Sequence, residues 1–143
     1  MKKLPVVIAL FVALYIGWWY FSLPNNSTGP AKQSDTVLAS AFEKQKSDIQ
    51  VEGTGVVIKI LPDDNVGGHH QRFILRLHSG QTVLIAHNID LAPRLPSIKK
   101  GDTLTFNGEY EWNSKGGVIH WTHHDPNGRH VAGWLKHNGQ TYQ

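Results

Sequence analysis

The sequence predicts a mainly β protein, a small five-stranded OB-like Greek-key barrel with a C-terminal hairpin. Three observations carry that expectation. Apolar and polar residues alternate with a period of two in Arg72–Leu77 and Thr103–Trp112. Five strand-like segments follow one another between Val51 and His123. The third and fourth are separated by an irregular or helical stretch, Asn88–Lys100, which suits that barrel. A generic small antiparallel barrel or sandwich is the alternative.

Before the barrel comes an apolar stretch, Leu4–Leu23, preceded by Lys2 and Lys3 and followed by Asn25, Asn26, Ser27 and Thr28. About twenty apolar residues suffice for one helix across a bilayer core of roughly 30 Å. Residues 1–24 are therefore expected to be a transmembrane signal-anchor. The lysines place its start in the cytoplasm, so the protein is expected to be a single-pass protein of a bacterial inner membrane. The C-terminal domain then lies in the periplasm or outside the cell. Trp18, Trp19, Tyr20 and Phe21 sit where an aromatic belt would be. A cleaved secretory signal is the competing reading, but bulky aromatics end the apolar run and Ala39-Ser40-Ala41 lies too far downstream.

Residues 25–33 read as a linker, punctuated by Gly29 and Pro30. The exported domain is expected over 34–143, opening with a short amphipathic helix capped by Ser34 or Asp35. Val37, Leu38, Ala41 and Phe42 recur at helical spacing, and the helix should end near Asp48.

The strands follow. Val51–Leu61 is rich in Val and Ile, and Thr82–Ala86 is a short apolar run. In Arg72–Leu77, Phe73, Leu75 and Leu77 oppose Arg72 and Arg76. In Thr103–Trp112, Leu104, Phe106, Tyr110 and Trp112 share one face, with Thr103, Thr105, Glu109 and Glu111 on the other. Val118–His123 should pair with it across the loop Asn113–Gly117. The last hairpin, Gly133–Tyr142, turns at Asn138-Gly139, a strong hairpin signal.

Composition narrows the chemistry. The chain of 143 residues has no cysteine, and its one methionine is Met1. Disulfides, thiol redox chemistry and thiolate metal sites are excluded, and a soft Cu(I) site finds no sulfur ligands. The net charge of +3 is only mildly basic, with the basic residues spread rather than clustered. No HExxH, P-loop, GxSxG or GxGxxG pattern is present.

All nine histidines lie between His69 and His137. His69 and His70 stand at the mouth of a strand after Gly67-Gly68, and His87-Asn88 lies where the third strand ends. His120, His123, His124 and Asp125 crowd six residues. On a regular strand His120 and His123 would point to opposite faces. Pro126 favours an extended Asp125, so the chain should leave the sheet there and could converge His123, His124 and Asp125 on one point. The candidate ligands of one divalent metal ion, zinc or another transition metal, are thus His69, His70, His87, His120, His123, His124 and Asp125. Glu109 and Glu111, i and i+2 on one strand face, are candidate general bases or ligands, with Arg72 as a catalytic clamp. Arg72, Asn88, Arg94, Trp112 and Trp121 are candidate ligand-binding residues.

Four stretches, Gly68–Phe73, Ile85–Arg94, Gly108–Asn113 and His120–Pro126, resemble those of a bacterial family of small, often membrane-anchored proteins. That family is known as a domain of unknown function, and the resemblance spans about residues 34–143 without implying an activity. A looser likeness joins the chain to thermonuclease-like OB barrels, but their Asp-Gly-Asp-Thr and Asp-Thr-Pro-Glu blocks are missing, and fold analogy carries no function.

The expected function is a binding module with a His-rich ligand or metal site. A metal-dependent hydrolase of phosphodiesters is the first alternative, and a structural envelope protein is the second. Expected partners are the inner membrane, through the N-terminal helix, and a nucleic acid, a glycan or an envelope protein.

Overall fold

A computed structural model describes residues 29–143. The expected membrane anchor lies outside them. No helix among the described residues is long and apolar enough to cross a membrane.

The helix α1 runs from Pro30 to Glu43. It starts earlier than the sequence suggests, because Pro30 opens the helix instead of closing a linker. Proline is well suited to a first helical position, where its missing N–H leaves no intrahelical bond unmade. Gly29 is the N-cap. Ser34 and Asp35 therefore sit inside the helix. The Ser34 hydroxyl donates back to the Pro30 carbonyl at 2.7 Å. The buried Asp35 carboxylate accepts the Ser79 N–H at 2.8 Å, fastening α1 to a strand turn. The helix also ends before Asp48, since Gln45 and Asp48 both take positive φ.

Seven strands follow: β1 (Ile49–Asp64), β2 (His70–Leu77), β3 (Thr82–Asn88), β4 (Thr103–Glu111), β5 (Val118–His120), β6 (Trp134–His137) and β7 (Gln140–Tyr142). The sheet order is β1-β2-β3-β5-β4-β6-β7, and β4 also pairs with β1. The sheet thus curls until β4 meets β1 again. All pairings are antiparallel except the short β3–β5 contact, which is parallel. The hairpin β6–β7 extends β4 and turns at Asn138-Gly139 as expected, both residues having positive φ.

Closure depends on β1. Its first half pairs with β4 through Ile49–Val56, and Gly55–Asp64 pairs with β2. A strand shared in this way must bend, and the inward-facing Gly53 and Gly55 leave room for it. A Cβ at Gly53 would lie 2.6 Å from Phe106 Cζ, and one at Gly55 would lie 3.0 Å from Leu75 Cβ.

The alternating pattern read in the sequence sorts inside from outside. Phe73, Leu75, Val83, Ile85, Leu104, Phe106, Tyr110 and Ile119 form the core with Val51, Val57 and Leu135. Burying each such side chain contributes roughly 1.5–3 kcal/mol. Leu38 and Ala41 of α1 join this core. Trp112 ties the other end of the helix, donating its indole N–H to the Phe42 carbonyl at 3.1 Å. The outward residues of β2, β3, β5 and β4 then form one continuous face, on which His70 and His120 lie.

Gly53→Ala should cost about 1–3 kcal/mol by overpacking against Phe106. The measurement is the urea midpoint at constant slope. A midpoint equal to the parent's would mean that the β1 bend is not constrained there.

Candidate functional site

The site is built on β4 and β5. Glu109 and Glu111 project from the outer face of β4, and His120 of β5 lies directly opposite Glu109 in the pairing register. His120 Nε2 stands 3.7 Å from Glu109 Oε1 and 3.5 Å from Glu111 Oε1. That nitrogen is buried and has no hydrogen-bond partner among the described residues. One ligand atom from each of the three residues lies within 4.8 Å of the others, so the group could hold a metal ion.

Two residues that the sequence reading passed over complete this cluster. His130 Nε2 hydrogen-bonds Glu109 Oε2, while its Nδ1 lies 2.8 Å from the Val131 carbonyl oxygen. With Glu109 ionised both partners are acceptors, so both ring nitrogens donate and the contacts favour the imidazolium form of His130. Burial works against that charge, but the Val131 carbonyl and the Glu109 carboxylate outweigh it and raise the His130 pKa. Asp48 approaches Glu111. Burial first, and Asp48 beside it, raise the Glu111 pKa, although His120 pulls the other way. A signal for His130 did exist in the sequence. Asp125-Pro126-Asn127-Gly128 is turn chemistry that folds the chain back on itself. Nothing comparable marks Asp48.

The chain reaches this arrangement through an unusual turn. β5 ends at His120, earlier than the expected His123, because Trp121 takes a left-handed backbone with φ 54°. That conformation is costly for a residue with a Cβ. It breaks the period of two, so His120 and His123 line the same cleft and do not face opposite ways. Close backbone packing holds the turn. A Cβ at Gly133 would fall 2.0 Å from the Trp121 carbonyl, and one at Gly108 would fall 2.5 Å from the His120 carbonyl. The Trp121 ring then stacks on His130, with centroids 4.0 Å apart and planes 7° from parallel.

Beside the Glu–Glu–His group lies a cleft of about 200 Å³. It is lined by His70 of β2, Asn88 of β3, His120, Trp121 and His123, with Leu91 at its apolar side. Part of each expected histidine cluster therefore meets here. His123 Nδ1 donates to the His124 carbonyl at 2.6 Å, and its Nε2 makes no hydrogen bond among the described residues. His70 Nδ1 is buried and without a hydrogen-bond partner among the described residues.

The other expected residues lie elsewhere. His69 is exposed, and its backbone and ring nitrogens both bind Asp90, whose pKa they lower. His124 is exposed, and Asp125 does not converge with it on a common point. The Asp125 carboxylate instead caps its own loop, accepting the N–H groups of Asn127, Arg129 and His130, and these bonds hold its pKa down. Arg72 donates to the Pro62 carbonyl, and Arg94 pairs with Asp63, so both are engaged with the far end of β1. Trp112 packs against Phe42 of α1. His87 is fully buried beneath the cleft with both nitrogens used. Its Nδ1 accepts from the Thr122 hydroxyl at 2.8 Å, and its Nε2–H donates to the Pro93 carbonyl at 3.0 Å.

Residues 22–143 match the family described as protein of unknown function (DUF3465), and the chain belongs to that family. No curated protein matches it.

Burial lowers the His87 pKa from 6.5 to about 4, against the upward pull of the Pro93 carbonyl. The unfolded chain gains a proton at this position below its ordinary value of 6.5, whereas the folded chain does not until about 4. Stability should therefore fall by about 3 kcal/mol as the pH drops through that window. Urea midpoints across the range would show it, and His87→Gln should flatten the slope. A wild-type midpoint that stays level over that window would refute this account of His87.

Proposed function

We propose that this protein is a metal-binding module, an OB-like barrel whose outer face holds one divalent transition-metal ion at Glu109, Glu111 and His120. The strand order supports the barrel assignment, since β1-β2-β3-β5-β4 returns to β1 and β3 runs parallel to β5. An N-terminal anchor in a bacterial envelope membrane, with the barrel on the outer side, completes the proposal.

The observation that carries the metal site is the His120 nitrogen. It is buried, lacks a hydrogen bond among the described residues, and faces two carboxylate oxygens at 3.7 and 3.5 Å. Those separations are too long for good hydrogen bonds. They suit ligands of a common ion, because two atoms each about 2.1 Å from a tetrahedral metal stand roughly 3.4 Å apart. Imidazole and carboxylate donors without sulfur favour zinc, manganese, iron or nickel. His130 supports the site from behind, fixing the second oxygen of Glu109 as outer partners of metal ligands do.

The alternatives draw less support. Phosphodiester hydrolysis calls for a cation clamp, yet Arg72 and Arg94 are engaged at Pro62 and Asp63. A tryptophan platform for nucleic acid or glycan loses Trp112 to its contact with α1.

Protein exposed to zinc and then freed of excess should retain about one equivalent per chain. Glu109→Gln/Glu111→Gln should retain almost none while remaining folded by circular dichroism. Wild-type protein that holds no zinc, cobalt or manganese would sink the proposal.

A further inference from the structure

The cleft next to the Glu–Glu–His group contains more polar capacity than its own protein contacts use. His70 Nδ1 is buried and unpartnered among the described residues. The Asn88 side-chain oxygen already accepts the Asp90 N–H at 2.9 Å, so what Asn88 still offers is its NH2 group. His70, with its unpartnered imidazole nitrogen, and Asn88, with its amide NH2, thus line the same small space as His120. Three protein ligands leave at least one coordination position of a zinc-like ion for an outside ligand.

We infer that the cleft takes a small oxyanion, a carboxylate or phosphate, with one oxygen on the metal and others hydrogen-bonded to Asn88 Nδ2 and His70 Nδ1. The inference rests on the metal reading above. Donor type sets the charge of the ligand: Asn88 gives hydrogen atoms, His70 Nδ1 does so in the tautomer that carries its proton there, and the ion attracts anionic oxygen. Size sets its scale. The cleft measures about 200 Å³, below the roughly 300–1,000 Å³ of sites for drug-sized molecules. A free small acid, or one acidic group at the end of a larger molecule, fits that space. Leu91, Ala86 and Trp121 supply the apolar part of the lining. A carbon-bearing acid can use that part, whereas inorganic phosphate cannot. The left-handed turn at Trp121 is what brings His120 and His123 to this same cleft.

Cobalt(II) is the probe, because its visible bands report both uptake of the ion and exchange of its outside ligand. The full chain would be loaded with cobalt and titrated separately with acetate and inorganic phosphate. Saturable band shifts are expected with either anion. Asn88→Asp keeps the oxygen that accepts the Asp90 N–H but replaces the donor with a negative charge. It should take up cobalt undiminished and lose at least about tenfold in anion affinity. His70→Ala should show the same split, and Asn88→Asp serves if that variant does not fold. Cobalt uptake without any anion response in wild type, or an unchanged response in Asn88→Asp, would overturn the inference and leave the metal site standing. Failure of wild type to bind cobalt would overturn both.

Discussion

The arrangement depends first on β1 serving two partners. One strand pairs with β4 along its first half and with β2 along its second. It can do so because Gly53 and Gly55 face inward where a side chain would strike Phe106 or Leu75. Were β1 to pair with β2 alone, the sheet would stay open. The outer faces of β2, β3, β5 and β4 are joined by their own pairings, and closure onto β1 sets how that surface curves. The site lies on that surface: the β4–β5 register sets its ligand geometry, and the bend that two missing side chains permit lets the sheet beneath it close.

A second constraint acts locally. Glu109 and Glu111 are placed by ordinary strand periodicity, and His120 by ordinary cross-strand pairing. His123 is not. It reaches the cleft because the chain turns left-handed at Trp121, and that turn is pressed against Gly108 and Gly133. The stacked ring of Trp121 fixes His130, which in turn fixes Glu109. Site residues from β4, β5 and the following loop are thus coupled through packing as well as through charge.

Much of the fold was legible because it rests on local rules. Alternation in Arg72–Leu77 and Thr103–Trp112 reported which side chains are buried, and Asn138-Gly139 reported its turn. The helix start was misread because Pro30 has two meanings, a linker mark or a first helical residue. Context beyond the sequence decides between them. The Glu–Glu–His group was half legible. Glu109 and Glu111 stood out as a same-face pair, as bases or ligands, and His120 stood out as a ligand, but among other histidines. Their union needs the β4–β5 register, which local sequence does not contain. Asp48 and His130 depend on longer returns of the chain. The left-handed turn could not be read at all, because nothing in a tryptophan advertises a positive φ. His87 carried the opposite ambiguity. A histidine at a strand end looks like a ligand, yet here it is a neutral core residue whose two nitrogens satisfy Thr122 and Pro93.

Trp121 also shows how selection for robustness and selection for a site diverge. Its backbone sits where glycine or asparagine would be less strained, by about 1 kcal/mol or more. A search for stabilising substitutions would rank those residues highly at this position. Accepting either would relax the turn and remove the ring over His130 together. A bulky aromatic persisting at an unfavourable backbone angle is therefore a marker that an engineer can use. It identifies a position to hold fixed while the rest of the domain is optimised.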